Sequence, residues 1–174
     1  MNEEIRFGVN NDILYFAGKD ETVKTPTKND EDAGYDIYAH FEEDEFVIPP
    51  HNTKLVPTGL YYACHPDYFI RIVERSSNTK WHGRVCAGVI DSGFRGEIFI
   101  GIYNSSHNTI IIDKNHTEIQ FNDDSKVIYF PYNKAIAQLL VLPVPKMNVQ
   151  TISLDELKEI PSVRGDGELG SSGK

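Results

Sequence analysis

Short apolar runs, interrupted by turn residues about every eight to twelve positions, recur along most of this 174-residue chain and constrain its fold more than any other feature. In Glu97–Asn104, Ile98, Ile100 and Ile102 alternate with Phe99, Gly101 and Tyr103. A two-residue period of this kind sends one set of side chains to a buried face and the other outward. Ala135–Leu142 alternates similarly and stops at Pro143. Further strands are predicted at Ile13–Phe16, Phe46–Ile48, Lys54–Val56, Tyr68–Val73, Thr109–Ile112 and Lys126–Phe130. Pro49-Pro50, Pro57, Asn115 and Asn122-Asp123-Asp124 punctuate them. This density of strands predicts an all-β chain: a sandwich, a jelly roll or a barrel.

Two segments depart from the pattern. Ser76–His82 is polar and lacks alternation, which predicts a short helix with Ser76 or Ser77 as N-cap and Gly83 just past its end. Ser153-Leu154-Asp155-Glu156 has capping-box spacing, Leu154 and Leu157 share a helical face, and Pro161 marks the stop. The length fits a single β domain over residues 1–161, followed by a flexible arm over 162–174. That arm runs from Arg164 through Gly165 to Lys174 with four glycines and two serines in eleven residues, too little apolar area to fold alone. Its arginine, small residues and hydroxyls are nevertheless parts that wrap phosphates.

Charge and composition narrow the partners. The net charge is −9, from 17 basic and 26 acidic residues, with no basic stripe, so a nucleic-acid backbone is not an expected partner. A free nucleotide held by a few local arginines and a metal ion remains compatible with that charge. No apolar run approaches a membrane span, and Met1-Asn2-Glu3-Glu4 lacks the basic and apolar regions of a signal peptide. The expectation is a cytoplasmic or nuclear protein, not a secreted one. Cys64 and Cys86 have no metal-binding spacing and read as reduced thiols.

Four further segments carry chemistry. In Asp32-Ala33-Gly34-Tyr35-Asp36, Ala-Gly permits close backbone approach between two acids, as beside a metal–phosphate cluster or in an ordinary turn. Glu74-Arg75-Ser76-Ser77 sets an arginine and two hydroxyls before a helix start, an anion site or a plain cap. Gly88-Val89-Ile90-Asp91-Ser92-Gly93-Phe94 runs a strand into a turn, with Asp91 at the corner and an aromatic three residues on. A general base beside a stacked sugar would look like this, and so would a simple hairpin. In Ala135–Leu140, Gln138 is the one polar residue of a buried strand and needs hydrogen bonds from backbone or ligand.

Taken in order with the C-terminal arm, these segments resemble the motifs of the trimeric dUTP pyrophosphatase (dUTPase) family. The match runs from Asp32 to Gly173, on Ala33-Gly34-Tyr35-Asp36, Arg75-Ser76-Ser77, Gly88-Val89-Ile90-Asp91 with Phe94-Arg95-Gly96, Ala137-Gln138, and Arg164-Gly165 leading to Gly170-Ser171-Ser172-Gly173. The resemblance implies a jelly-roll-like β-sandwich with one or two short helices and a flexible C-terminal lid. It implies a homotrimer with shared active sites that hydrolyses dUTP to dUMP and pyrophosphate with Mg²⁺. That reaction keeps uracil out of DNA and supplies dUMP for dTMP synthesis. Asp91 matches the residue that activates the water attacking the α-phosphorus, and Asp36 the carboxylate that reaches the metal through water. Arg75, Ser76, Ser77, Gln138, Arg164, Ser171 and Ser172 match phosphate ligands. Val85, Gly88 and Val89 would read uracil through backbone groups, and Phe94 would pack under the deoxyribose. Leu169 and Gly170 would close over the base.

Three departures stand out. Phe94 replaces a common Tyr, Leu169 replaces the usual lid Phe, and the stretch from Asn104 to Ala137 is long, which predicts an extra strand or hairpin within 105–134. A dCTP deaminase of the same fold would carry a catalytic Glu ten residues beyond Asp91, where this chain has Gly101. A non-catalytic nucleotide-binding homologue would not need Asp91, Arg75, Gln138 and Arg164 together.

Overall fold

The computed structural model describes residues 13–163 and residue 165. One compact unit ends at Val144 and a second begins at Pro145. In chain order the first unit contains β1 (Tyr15–Gly18), β2 (Tyr35–Ile37), β3 (Glu45–Ile48), β4 (Thr53–Pro57), β5 (Leu60–Ala63) and β6 (Tyr68–Val73). Next come α1 (Asn78–Trp81), β7 (Gly83–Cys86), β8 (Val89–Ile90), β9 (Phe99–Asn104), β10 (Thr109–Asp113), β11 (Gln120–Asn122), β12 (Val127–Pro131) and β13 (Ala137–Pro143). The second unit contains α2 (Leu154–Glu159). None of the described helices is long and apolar enough to cross a membrane.

The strands form four sheets in the orders β1-β5, β11-β12-β10-β3, β2-β13-β6-β8 and β4-β9-β7. Alternation decides which faces point inward. Ile98, Ile100 and Ile102 are fully buried, whereas Phe99 is 46% exposed. The core they enter also holds Ile37, Ile48, Ile70, Ile110, Ile128 and Phe130. Isoleucine and its β-branched stiffness suit this pleated, close-packed interior.

The sheet that positions the site is built around β13. Its Gln138 lies opposite Asp36 of β2 on one side and Val73 of β6 on the other. At the far edge of β6, β8 pairs through Ile70↔Ile90 and Arg71↔Val89. Glycine is required where these strands come closest. A Cβ on Gly88 would lie 2.1 Å from the Ile72 carbonyl oxygen.

The extra segment folds as the sequence leads one to expect, into a β11–β12 hairpin, with β12 also parallel to β10. Its root is fixed by Asp113, which is 2% exposed and accepts the Asn115 backbone N–H at 2.7 Å. His116 donates to the same carboxylate and stacks on Tyr129 with ring centroids 4.1 Å apart.

The first helix has the expected N-cap, and Gly83 follows its end as expected, but glycine is not its left-handed residue. It spans only Asn78–Trp81, Ser77 caps it without a side-chain hydrogen bond, and the left-handed residue is His82 (φ 63°). Gly83 instead opens β7, where a Cβ would stand 2.1 Å from the Trp81 ring. Its absence lets the indole, fully buried against Phe130, lie under the strand. The capping box forms around α2 as the spacing predicts, with the Ser153 hydroxyl accepting from the Glu156 N–H and the Glu156 carboxylate accepting from the Ser153 N–H. The Ser153 N–H and the Ser153 hydroxyl both donate to that carboxylate and hold it below its ordinary range.

Candidate active site

Two groups of predicted site residues lie on the sheet around β13. In the first, Arg75 leaves the end of β6 and reaches Asp36 on β2. Its Nε is 2.8 Å from Asp36 Oδ1 and its Nη2 donates to Oδ2 at 3.2 Å. A two-point fork of this kind fixes both side chains and suits partly buried carboxylate recognition. The remaining Nη1 donates to the Ala135 carbonyl at 3.4 Å and lies 3.5 Å from the Ser77 hydroxyl. Ser76 is exposed at the same turn.

Gln138 completes this group. Its Nε2 donates to the Glu74 carbonyl at 2.8 Å, which settles the amide orientation. Its Oε1 faces Gly34 so closely that a Cβ there would be 2.7 Å away. Gly34 therefore makes room for the glutamine oxygen, and Gln138 stands opposite Asp36, the partner of Arg75, across the β2–β13 pair.

The second group surrounds a cleft of about 290 Å³ lined by Val89, Ile90, Asp91, Phe94, Ile98 and Phe99. Asp91 is exposed at the cleft rim, in a turn closed by the Phe94 N–H to its carbonyl at 2.9 Å. Arg95 braces that turn by donating to the carbonyls of Ser92 at 2.6 Å and Phe94 at 2.8 Å. The Phe94 ring lies over Gly96, where a Cβ would stand 2.6 Å from it. The cleft thus offers a carboxylate and flat apolar faces side by side.

Some expected donors and acceptors are already engaged within the chain. The Val85 N–H donates to Glu74 Oε1 at 3.1 Å, and the Gly88 carbonyl accepts the Ile72 N–H at 2.7 Å. Ala87 between them is exposed, in a left-handed conformation (φ 53°). Gly101, where a deaminase would need its glutamate, is buried, and a Cβ there would come within 2.9 Å of the Cys86 carbonyl.

Within one chain the two groups lie toward opposite ends of β6. Arg75 lies beyond the Val73 end of β6, whereas Asp91 follows Ile90, which pairs with Ile70 near the other end. At ~3.3 Å per residue that separation is on the order of 15–20 Å. Arg164, Leu169, Gly170, Ser171 and Ser172 lie outside the described residues.

Three contributors escaped the sequence reading. Phe99 lines the cleft, and its outward phase in the Ile98–Ile102 alternation was the available signal. Glu74 links Val85 to Gln138 through its side chain and carbonyl. Tyr62, 3% exposed on β5, donates its hydroxyl to the Ile90 carbonyl at 2.8 Å, and nothing in its local sequence marks it.

Comparison with known proteins bears on the fold and the family. The solved dUTPase of Staphylococcus bacteriophage 80alpha with dUPNHPP has a similar fold, with a TM-score of 0.72 at 24% identity over 94% of this chain and 99% of that one. The deoxyuridine 5'-triphosphate nucleotidohydrolase of Candida albicans is 32% identical over 87% of this chain and 82% of its own length. The one from Debaryomyces hansenii is 30% identical over 90% of this chain and 84% of its own length. The family model described as dUTPase matches residues 21–117. With more than half of the chain matched by that model, and relatives of this identity aligned over most of its length, the protein belongs to the dUTPase family.

Proposed function

We propose that this protein hydrolyses dUTP to dUMP and pyrophosphate, with Asp91 as the base that activates the attacking water. The observation that carries this reading is the Asp91 carboxylate at the rim of a cleft whose walls include Phe94 and Phe99. A base and sugar in that cleft would present the α-phosphorus at its open edge. Asp91 then needs only to accept a proton from a water held in line, a role worth ~10²–10⁴-fold in rate.

Arg75, Ser76, Ser77 and Gln138 are the proposed phosphate ligands, with Arg164, Ser171 and Ser172 of the arm. Arg75 is oriented by its fork on Asp36, so its remaining N–H groups are pre-aimed. The proposed sugar and base contacts are Phe94, Val85, Gly88, Val89, Leu169 and Gly170. Phe94 is the residue expected to crowd a 2′-hydroxyl and exclude UTP.

A magnesium ion fits this donor set in one particular way. Among the described residues no group of three or more His, Cys, Asp or Glu side chains is arranged to hold a metal. Asp36 is the carboxylate that Arg75, a proposed phosphate ligand, already grips. Such a site suits an ion that keeps most of its waters and takes phosphate oxygens from the substrate, with Asp36 holding one of those waters. Bound there, magnesium would neutralise charge on the non-bridging oxygens.

The reading includes a homotrimer with active sites shared between subunits. The 15–20 Å separation of Arg75 from Asp91, on the order of six residues of strand, supports it, because one substrate must meet both groups. Leu55 (62% exposed) and Phe99 (46% exposed) stand on the same outward face of the β4-β9-β7 sheet and offer apolar area for a second copy.

The test is turnover with product identification. The purified protein with Mg²⁺ is expected to release pyrophosphate and dUMP from dUTP and no ammonia from dCTP. Ammonia from dCTP would mark a deaminase, and neither product would mark a binding protein.

A further inference from the structure

A residue outside the family motifs, Tyr62, bonds to the residue that precedes the proposed base. Tyr62 sits on β5, which among the described residues pairs with β1, yet its side chain crosses to the end of β8 in another sheet. There its hydroxyl donates to the Ile90 carbonyl at 2.8 Å. Ile90 pairs with Ile70 of β6, so the phenol reaches the Ile70–Ile90 rung of that sheet. Tyr62 is 3% exposed, so the ring is clamped by packing and water does not compete for its hydroxyl.

The consequence concerns Asp91. The Ile90 carbonyl belongs to the peptide plane that immediately precedes the Asp91 Cα. Fixing that plane fixes one side of the Asp91 backbone, and the Phe94 N–H bond to the Asp91 carbonyl at 2.9 Å fixes the other. Between two fixed planes the Cα–Cβ direction is set, and with it the point from which the carboxylate reaches into the cleft. β8 is only two residues long and, among the described residues, is paired on one side, with β6. Asp91 and Arg95 also lie close enough to act on the phenol electrostatically, the first pushing its pKa up and the second down. Burial is the larger effect and, with Cys64 adding to it, leaves the hydroxyl protonated and a permanent donor.

We infer that Tyr62 is a positioning residue for Asp91, holding the Ile90–Asp91 peptide so that the carboxylate faces the attacking water; this rests on Asp91 being the base. A displacement of about 1 Å at a reacting group costs on the order of 10²-fold, and loss of a single anchoring bond should give part of that.

The test is Tyr62→Phe, which keeps the ring and removes the donor. The expected result is a ~10-fold fall in kcat, with KM and the affinity for a non-hydrolysable dUTP analogue within about twofold of the parent. Placing 4-aminophenylalanine at position 62 restores an N–H donor and should recover most of kcat. In the Asp91→Asn background, Tyr62→Phe should cause no further loss, because the group it positions is gone. If Tyr62→Phe does not fold, 4-fluorophenylalanine fills the hydroxyl's space without donating and is read the same way. A donor-free variant with parental kcat, or one whose kcat falls equally in the Asp91→Asn background, overturns the positioning role. Full turnover by Asp91→Asn alone would instead overturn the assignment of the base, which separates the two failures.

Discussion

Arg75 and Asp36 meet through two parallel contacts, Nε at 2.8 Å from one carboxylate oxygen and Nη2 at 3.2 Å from the other. Both side chains are one-third exposed, so the pair adds little to stability and its value lies in orientation. Arg75→Lys keeps the charge but cannot span both oxygens. Affinity for a non-hydrolysable dUTP analogue should fall ~10–100-fold, the equivalent of one hydrogen bond to a charged group. The melting temperature should fall by no more than about 4 °C. Calorimetric titration and thermal melts check both.

Gly34 and Gly88 separate the site from the fold. A methyl at Gly34 meets first the end of a flexible Gln138 side chain, 2.7 Å away, whereas at Gly88 it meets the Ile72 backbone at 2.1 Å. Gly34→Ala should leave the melting temperature within a few degrees and lower kcat/KM by roughly 10-fold as Gln138 is pushed aside. Gly88→Ala should destabilise the protein by about 2 kcal/mol or more, because β6 and β8 must part.

Phe94 tests how the sugar is read. Its ring lies over Gly96 at the cleft wall, 43% exposed and free to crowd a 2′-oxygen. Phe94→Ala should raise UTP turnover relative to dUTP. Equal weakening of both substrates would make Phe94 a packing residue.

Asp113 gives a prediction in acid. Burial pushes its carboxyl up, but the Asn115 backbone N–H and the His116 ring outweigh that and hold it below its ordinary value of 3.8. A carboxyl depressed in the folded state contributes stability that is present above the unfolded pKa and disappears as pH falls through the folded one. Asp113→Asn should therefore lower stability at neutral pH and flatten its decline below about pH 4. Urea titrations across that range would show the change in slope.

How far the sequence reached depended on the range of the interaction. Ile98–Ile102 and Ala135–Leu142 announced their faces because alternation is local and every residue repeats the message. Ser153 and Glu156 announced a capping box for the same reason. Gly83 stands just past the first helix as its sequence suggests, but the reason was hidden: that glycine answers to the Trp81 ring, and the left-handed turn falls on His82. Asp36, Arg75 and Gln138 were each visible as residues. Their union was not, since it depends on β13 lying between β2 and β6. Tyr62 was invisible for the same reason: its partner is 28 residues away across two sheets.

The division of the site between subunits is the claim most open to direct test. Arg75→Ala and Asp91→Asn should each reduce dUTP turnover by at least ~100-fold. Mixed one to one, unfolded together and refolded, the two inactive variants should regain about a quarter of parental activity, because random assembly of a symmetric oligomer pairs an intact Arg75 with an intact Asp91 in one site of four. Turnover of the co-refolded mixture is the measurement. Recovery near one quarter supports a site built from two chains, and a mixture as inactive as its components contradicts it.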